Sequence, residues 1–579
     1  MKNIQTETRP IKELFSAKGT NFLIPEYQRA YSWMEDKCQR LWCDFCDFAF
    51  PNGDKMAFND KDEYFLGVII TFRNEQGQDE VVDGQQRLTT LLLLMRAFYR
   101  ALGGDNGNCP KPIEHLGECI WKTDELGELD KSSLKINSEI FREDAKAELK
   151  KILSTGEIFK SYKSRYAANY LFFQEAIQDL KKELDEKTLQ YLPARIMNHC
   201  FLTQLRVESQ DLALQMFSTL NDTGLALSAT DIFKAVMYKF YKTESELACE
   251  EFIERWQELE RRAEKTFSKE HGINVTSLEF LFNCYSYRNK DRVNKNIRQE
   301  YEPNNYEVLR RKETLADLFA LLDFFDDLLA QKLLLFPMKA IRYAHILFRT
   351  KNVFVWFPMA HYFFCRRDER NHIDGNEFAE FLERLLAFFL GHAIIYGKTN
   401  SIRGFRFGTL ANLKNPVPSG KNSYTFSAEA IRAEMQYFNV KSPQNLMKML
   451  VLNWWTFRDE EQPLPPIEQK FDVEHIFPKS LESSFESFTN KNRVNLLGNL
   501  ALLEHNKNLI AARYRFADKR KVYLGYERNG KFQDGTLNRE LQRLAQTLSN
   551  FGETDIVKRN TQMTEEILAF VGKHNFLQD

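Results

Sequence analysis

The chain has 579 residues, 28% of them charged, with a formal net charge of -1. That length is too great for one core and predicts several domains, while the charge balance excludes a polybasic coat but leaves room for local basic grooves. Forty-eight phenylalanines recur mostly at helical spacing, so the expected class is mainly α with small α+β parts.

The opening, Met1 to Lys18, is polar and predicts no signal peptide. The greasiest runs, Leu88 to Phe98 and Phe381 to Tyr396, fall short of the ~20 apolar residues that span a bilayer or carry charge, so no membrane is expected. The nine cysteines are scattered. The tightest group, Cys38, Cys43 and Cys46, sits on one predicted helix and lacks a fourth ligand, so packed reduced thiols and a cytoplasmic setting are expected rather than zinc.

In chain order, Phe22-Leu23-Ile24-Pro25 reads as a short strand and Trp33 to Phe48 as an amphipathic helix. Strands follow at Tyr64 to Phe72 and Glu80 to Val82. Asp83-Gly84 then opens a helix from Gln85 to about Leu102. Gly103 to Asn108 is a loop. From Phe141 to about Tyr396 nearly everything reads as helix, with Ser228-Ala229-Thr230-Asp231 as a capping box and 288–305 as an exposed connection. Residues 398–421 hold five basic residues, no acid and Pro416-Val417-Pro418, a candidate boundary or DNA-contacting arm that includes Arg403 and Arg406. No internal repeat or low-complexity tract interrupts the chain. The predicted divisions are 1–240, 241–397 and 398–579.

Two constellations carry chemistry. Near the C-terminus stand Asp472-Val473-Glu474-His475-Ile476, then Gly498-Asn499-Leu500, then Asn508. Phe471 to Phe477 reads as a strand, Asn499 to Leu503 as its partner, and Asn506-Lys507-Asn508 as the cap of a helix through Lys521. A hairpin packed on a helix brings positions 475, 499 and 508 together. A neutral histidine can activate a water, and hard oxygens from Glu474 and Asn508 suit Mg²⁺ or Mn²⁺, which together hydrolyse a phosphodiester. An isolated Glu-His pair is ordinarily a satisfied polar pair; only the spacing onward to Asn508, Phe516 and Lys519 lifts it above that. His505 lies outside the pattern and reads as surface. Arg513, Arg515, Lys519, Arg520 and Lys521 form a basic face that either tracks phosphates or is simply solvated.

Near the N-terminus, Tyr27-Gln28-Arg29 follows a proline-ended strand, and Asp83-Gly84-Gln85-Gln86-Arg87 spans a strand end and a helix start. Backbone N–H groups at a helix start suit an anion, and Arg87 and Arg29 are candidate clamps. The plainer reading makes Asp83 an N-cap and Arg87 an exposed helix residue. No Gly-x4-Gly-Lys-Ser/Thr loop occurs, which excludes a P-loop NTPase on motif grounds.

Glu474-His475-Ile476-Phe477-Pro478, Gly498 to Leu503, and Asn508 with Phe516 and Lys519 resemble the HNH endonucleases, and more closely the C-terminal domain of the GmrSD-type, modification-dependent (type IV) DNA endonucleases. The segments from Ile24 to Trp33, Tyr64 to Gly67, Asp83 to Leu91 and Phe217 to Gly224 resemble the N-terminal domain of the same family. The resemblance covers about 10–240 and 430–525. It implies a ParB/sulfiredoxin-like N-terminal domain that binds and hydrolyses a nucleoside triphosphate through Arg29, Tyr27, Gln28, Asp83, Gly84, Gln85, Gln86 and Arg87. It also implies a helical middle and a ββα-metal HNH domain, with His475 as general base, Glu474 and Asn508 on the metal, and Asn499 orienting the histidine or holding the loop. Asn506, two residues from Asn508, competes with it for the metal. The implied protein is a Mg²⁺-dependent DNA endonuclease restricting modified phage DNA, with a homodimer as one route to a double-strand break. The competing readings are a nucleotide-driven DNA sensor with a non-cleaving HNH domain, and a nuclease acting on RNA.

Overall fold

The structure is a computed structural model. It describes every residue except 1–3, 18, 29, 107–110, 140–142, 160–163, 210–211, 214–215, 217–228, 269–272, 274, 290–296, 398–424, 438–444, 480–487, 512–513, 529 and 579. The chain divides into two compact units, Met1–Arg255 and Trp256–Asp579. Helices dominate both, and the sheets are small.

The first unit is built on a six-stranded mixed sheet. In chain order the strands of this unit are β1 (Ile4–Pro10), β2 (Phe22–Ile24), β3 (Tyr64–Arg73), β4 (Asp79–Asp83), β5 (Trp121–Thr123), β6 (Leu129–Leu134), β7 (Ile136–Ser138) and β8 (Cys200–Val207). The sheet runs β1-β8-β3-β4-β2-β7, while β5 and β6 form a separate hairpin. β8 lies parallel to β3 and antiparallel to β1. β8 is the exception to the expectation that nearly everything from Phe141 to about Tyr396 is helix. Cys200, Leu202 and Gln204 are buried while Phe201, Thr203 and Leu205 are less so, a period of two that only a strand satisfies. β1, within a segment read only as polar, is the edge partner of β8.

Helix Gln85–Ala101 follows β4 and is buried on nearly every side. Its run Leu91-Leu92-Leu93-Leu94 has no polar face, as expected of a helix enclosed by its own domain. The helices Arg165–Glu183 and Lys111–Ile120 pack against it, and Arg96, fully buried, is held by Asp105 and the Leu153 carbonyl. Helix Glu35–Ala49 buries Cys38 and leaves Cys43 exposed, so those thiols do not converge.

In the second unit an aromatic core fills the helical region. Trp356 packs edge-on against Phe267 and Phe325, and Phe324 stacks on Phe363. Beyond it come β9 (Phe426–Ser427), β10 (Phe471–His475), β11 (Leu500–Glu504), the hairpin β12 (Gly525–Arg528) and β13 (Lys531–Asp534), and β14 (Leu577–Gln578), which lies parallel to β9. Among the described residues no helix is long and apolar enough to cross a membrane.

Candidate active site

β10 and β11 pair antiparallel, with Asp472 opposite Leu503, Glu474 opposite Ala501 and His475 opposite Leu500. The predicted single helix after β11 is two helices, His505–Ala511 and Phe516–Leu524. Alternation along β10 sorts its side chains. Asp472 and Glu474 share the face that meets these helices; Phe471, Val473 and His475 share the other.

On the helix-covered face, Asp472 Oδ2 lies 2.8 Å from His505 Nδ1 and 3.3 Å from Asn508 Nδ2. The Asn508 Oδ1 atom is buried and has no partner among the described residues. Asn506 is exposed, so the two competing asparagines differ in setting. Glu474 is 3% exposed; its Oε1 accepts from Lys519 Nζ and from Tyr523 Oη at 3.0 Å. His505, read as surface, is exposed and is in addition the partner of Asp472. Its spacing of three residues from Asn508 on one helix was the available signal.

Lys519 requires a correction. It is fully buried, ion-paired with Glu474 and donating to the His475 carbonyl at 2.6 Å. A phosphate on the surface cannot reach it. Arg515 is exposed, Arg520 is half-buried with Nε on the Ala545 carbonyl, and Lys521 is largely exposed. Arg513, Arg403 and Arg406 lie outside the described residues.

His475 sits at the end of β10. Burial, with the charges of Lys479, Lys519 and Lys448 nearby, pushes its imidazole down to about 4, so it is neutral at pH 7. Its Nε2 is buried without a partner among the described residues. The strand alternation therefore turns the imidazole away from Asp472 and Glu474, and no hydrogen bond joins 475 on β10 to 508 on helix His505–Ala511 among the described residues.

Asn499 is fully buried and holds the turn that follows His475. Its Oδ1 accepts from Phe477 N at 2.7 Å, and its Nδ2 donates to the carbonyls of Phe477 and Val494. Of its two expected roles the geometry supports holding the loop. Gly498 is equally constrained: a Cβ there would stand 2.1 Å from the Ile556 carbonyl oxygen. Helix Glu553–Gly572 closes this corner, with Asn560 accepting from Gly498 N and Arg559 donating to the Leu497, Gly498 and Leu500 carbonyls. These two residues lie in a stretch where the sequence offered no motif.

The N-terminal constellation has a different character. Gly84 adopts φ 94°, and a Cβ there would stand 2.5 Å from Ile69 Cγ2; glycine alone tolerates both. Gln86 Oε1 accepts from Ser32 N at 2.7 Å, Gln85 Nε2 donates to Gln28 Oε1, and Gln28 Nε2 donates to the Val82 carbonyl. The amides of Gln28, Gln85 and Gln86 thus stitch the segment after β2 onto β4 and its helix. Tyr27 is buried against Tyr238. Arg87 lies over Gly67, donates to the Val68 carbonyl at 3.0 Å, and is desolvated beside Asp83. Arg29 and the segment Phe217 to Gly224 lie outside the described residues.

A family model described as "GmrSD restriction endonuclease, N-terminal domain" matches residues 11–238, and one described as "GmrSD restriction endonucleases, C-terminal domain" matches 426–566. The chain belongs to the GmrSD restriction endonuclease family. It is therefore a nuclease of the restriction type, with phosphodiester hydrolysis as its chemistry and DNA as its partner. No curated protein matches it. The second GmrSD match extends past Asn508 to take in Arg559 and Asn560, the residues that brace the Gly498 corner.

Proposed function

We propose that the protein is a Mg²⁺-dependent DNA endonuclease of the HNH type, cutting from the β10–β11 hairpin and its two covering helices. The observation that carries this is a pair of buried polar atoms without partners among the described residues, His475 Nε2 and Asn508 Oδ1, within the segment matched to the family's C-terminal domain. A buried polar atom without a partner is costly, so its persistence in a motif argues for a bound group that completes it. Asn508 Oδ1, Glu474 Oε2 and the Asp472 carboxylate are hard oxygens sharing one face, the donor set that Mg²⁺ or Mn²⁺ accepts while keeping several waters. The cation, when bound, supplies charge stabilisation at the scissile phosphate. His475, neutral at working pH and on the opposite face of β10 but at its last residue, where the strand gives way to the turn, takes the proton of the attacking water at that end of the hairpin, and Asn499 and Lys519 position it through the turn and its carbonyl.

The N-terminal domain, which we read as ParB/sulfiredoxin-like, responds to a nucleoside triphosphate through Asp83, Gly84 and Arg87, with Arg29 as a further clamp. Gln28, Gln85 and Gln86 shape that site by holding its walls. Control by nucleotide restrains a nuclease that reads little sequence, and modified phage DNA is the substrate that fits such a device.

The test is cleavage of modified and unmodified DNA by the full-length protein with Mg²⁺, with and without each nucleoside triphosphate. Cutting by wild type and by His475→Ala at equal rates would overturn the assignment. Cutting of RNA in preference to DNA would overturn the substrate.

A further inference from the structure

Phe471, Asp472 and Leu502 of the hairpin line a cleft of about 290 Å³, and alternation places Phe471 on the same face of β10 as His475. The volume is at the small end of ligand pockets, which start at roughly 300 Å³. That is room for a single nucleotide unit rather than an extended strand. One wall is β10 and β11, through Phe471 and Leu502; the facing wall is helix Asn445–Phe457, through Met449 and Asn453. The same helix carries Lys448, whose charge reaches His475. Phe471 and His475 lie on one face of β10 four positions apart, about 13 Å along the strand. The cleft is thus within the span of the few nucleotides flanking a bond cut at His475.

Three features make this cleft a built site. Asn453 is 1% exposed, its Nδ2 donates to the Met449 carbonyl at 2.7 Å, and its buried Oδ1 has no partner among the described residues. Second, the loop at the rim is pinned: Arg349 donates to the carbonyls of Ile467 and Gln469, and its guanidinium lies 4.6 Å from the centre of the Phe471 ring. The planar guanidinium and ring offer flat surfaces of the kind on which bases stack. Third, the rim is net basic, since Arg349, Lys351 and Lys470 outnumber Glu468 and Asp472.

We propose that this cleft receives one nucleobase of the DNA substrate, turned out of the helix, with Asn453 Oδ1 accepting from its exocyclic amino group and Lys351 and Lys470 meeting the adjoining phosphate. The proposal rests on the nuclease reading and adds to it a place where the enzyme inspects a base. An acceptor fixed by its own Nδ2 bond discriminates by the hydrogen bond it leaves unmade when the amino group is missing. Cytosine, adenine and guanine carry that group; thymine does not.

The experiment titrates the full-length protein, without divalent cation, with the four 2′-deoxynucleoside 5′-monophosphates and reads binding by saturation-transfer NMR. The expected result is that dTMP binds about tenfold more weakly than the others, the worth of one hydrogen bond. Asn453→Leu should remove that difference by weakening the other three. Because Asn453 is buried, Lys351→Ala on the exposed rim provides an independent variant, expected to weaken all four alike. Absence of a preference over dTMP, its survival in Asn453→Leu, or indifference to Lys351→Ala would each overturn the proposal. If those differences are missing while His475-dependent cleavage is present, the base subsite falls and the nuclease stands. If they are present while His475→Ala cuts like wild type, the role of His475 falls and the subsite stands.

Discussion

The two motif-bearing regions look alike as sequence, each with polar residues at the end of an apolar strand, yet the fold uses them in opposite ways. Around Asp83 to Leu91 nearly every motif amide is satisfied internally: Gln86 by Ser32, Gln85 by Gln28, and Gln28 by Val82. Around Glu474 to Asn508 the motif divides. Glu474, Asn499 and Lys519 are bound into the interior, while His475 Nε2 and Asn508 Oδ1 have no partners among the described residues. A motif therefore identifies a family in both regions, but among the described residues the second leaves the His475 Nε2 and Asn508 Oδ1 atoms without partners. Satisfied groups stabilise; unsatisfied ones at a surface-accessible hairpin are where chemistry is expected.

That contrast can be broken most decisively at His475. His475→Ala should lower the DNA cleavage rate by about 10²–10⁴, the usual worth of a general base, with the thermal midpoint little changed. Asn508→Ala should lower it as well, whereas Asn506→Ala, on the exposed side of the same turn, should leave the rate unaltered. Matching losses at 506 and 508, measured under the same Mg²⁺ concentration, would erase the distinction drawn between them.

The next effect is on stability. Lys519→Met strands Glu474 in the interior and should cost about 3–5 kcal/mol, read as a fall in the denaturant midpoint of the second unit. A change within about 0.5 kcal/mol, the range of ordinary surface substitutions, would return Lys519 to the exposed basic face.

In the first unit, Gln86→Ala leaves the backbone N–H groups of Ser32 and Trp33 without their acceptor and should destabilise by about 1–3 kcal/mol. Arg87→Ala should instead remove nucleotide response with a smaller stability change. Should Gln86→Ala prove neutral to unfolding yet abolish nucleotide binding, the structural role assigned to it is wrong.

The smallest effect is set by pH. His345, buried between Arg342 and Arg349, is pushed down to about 3, and His392, buried on its helix, to about 4. Both are lowered from an ordinary value of 6.5, so the unfolded chain binds their protons first. Their stabilisation is complete above pH 6.5 and is lost as pH falls toward 4 and 3. The thermal midpoint should drop across that window, and His345→Phe should flatten the drop. A slope identical to wild type would mean that other groups control it.

Much of the fold was legible. β2, β3, β4 and the helix from Gln85 follow from alternation, proline and glycine punctuation, and an apolar run of helical length. β10 and β11 follow from the same signals. β8 was missed because it sits between helical stretches and its period of two is short enough to be absorbed into a helical reading. The break between the helices at 505–511 and 516–524 was missed because a basic, polar run carries no hydrophobic period to interrupt. His475 and Asn508 were singled out from spacing. Asp472 as the neighbour of Asn508, His505 as its partner, and Arg559 and Asn560 behind Gly498 were not.

The sequence by itself determined the family, the helical character, and which residue types are present for hydrolysis, because these depend on local period and on spacing along the chain. Only the tertiary structure decided which of them are free to act. Lys519 reaches Glu474 across 45 positions and Gln86 reaches Ser32 across 54, and no local pattern encodes where a side chain's partner lies. A hydrogen bond is satisfied or left open in three dimensions, and that choice separates the residues holding this protein together from those left to meet its substrate.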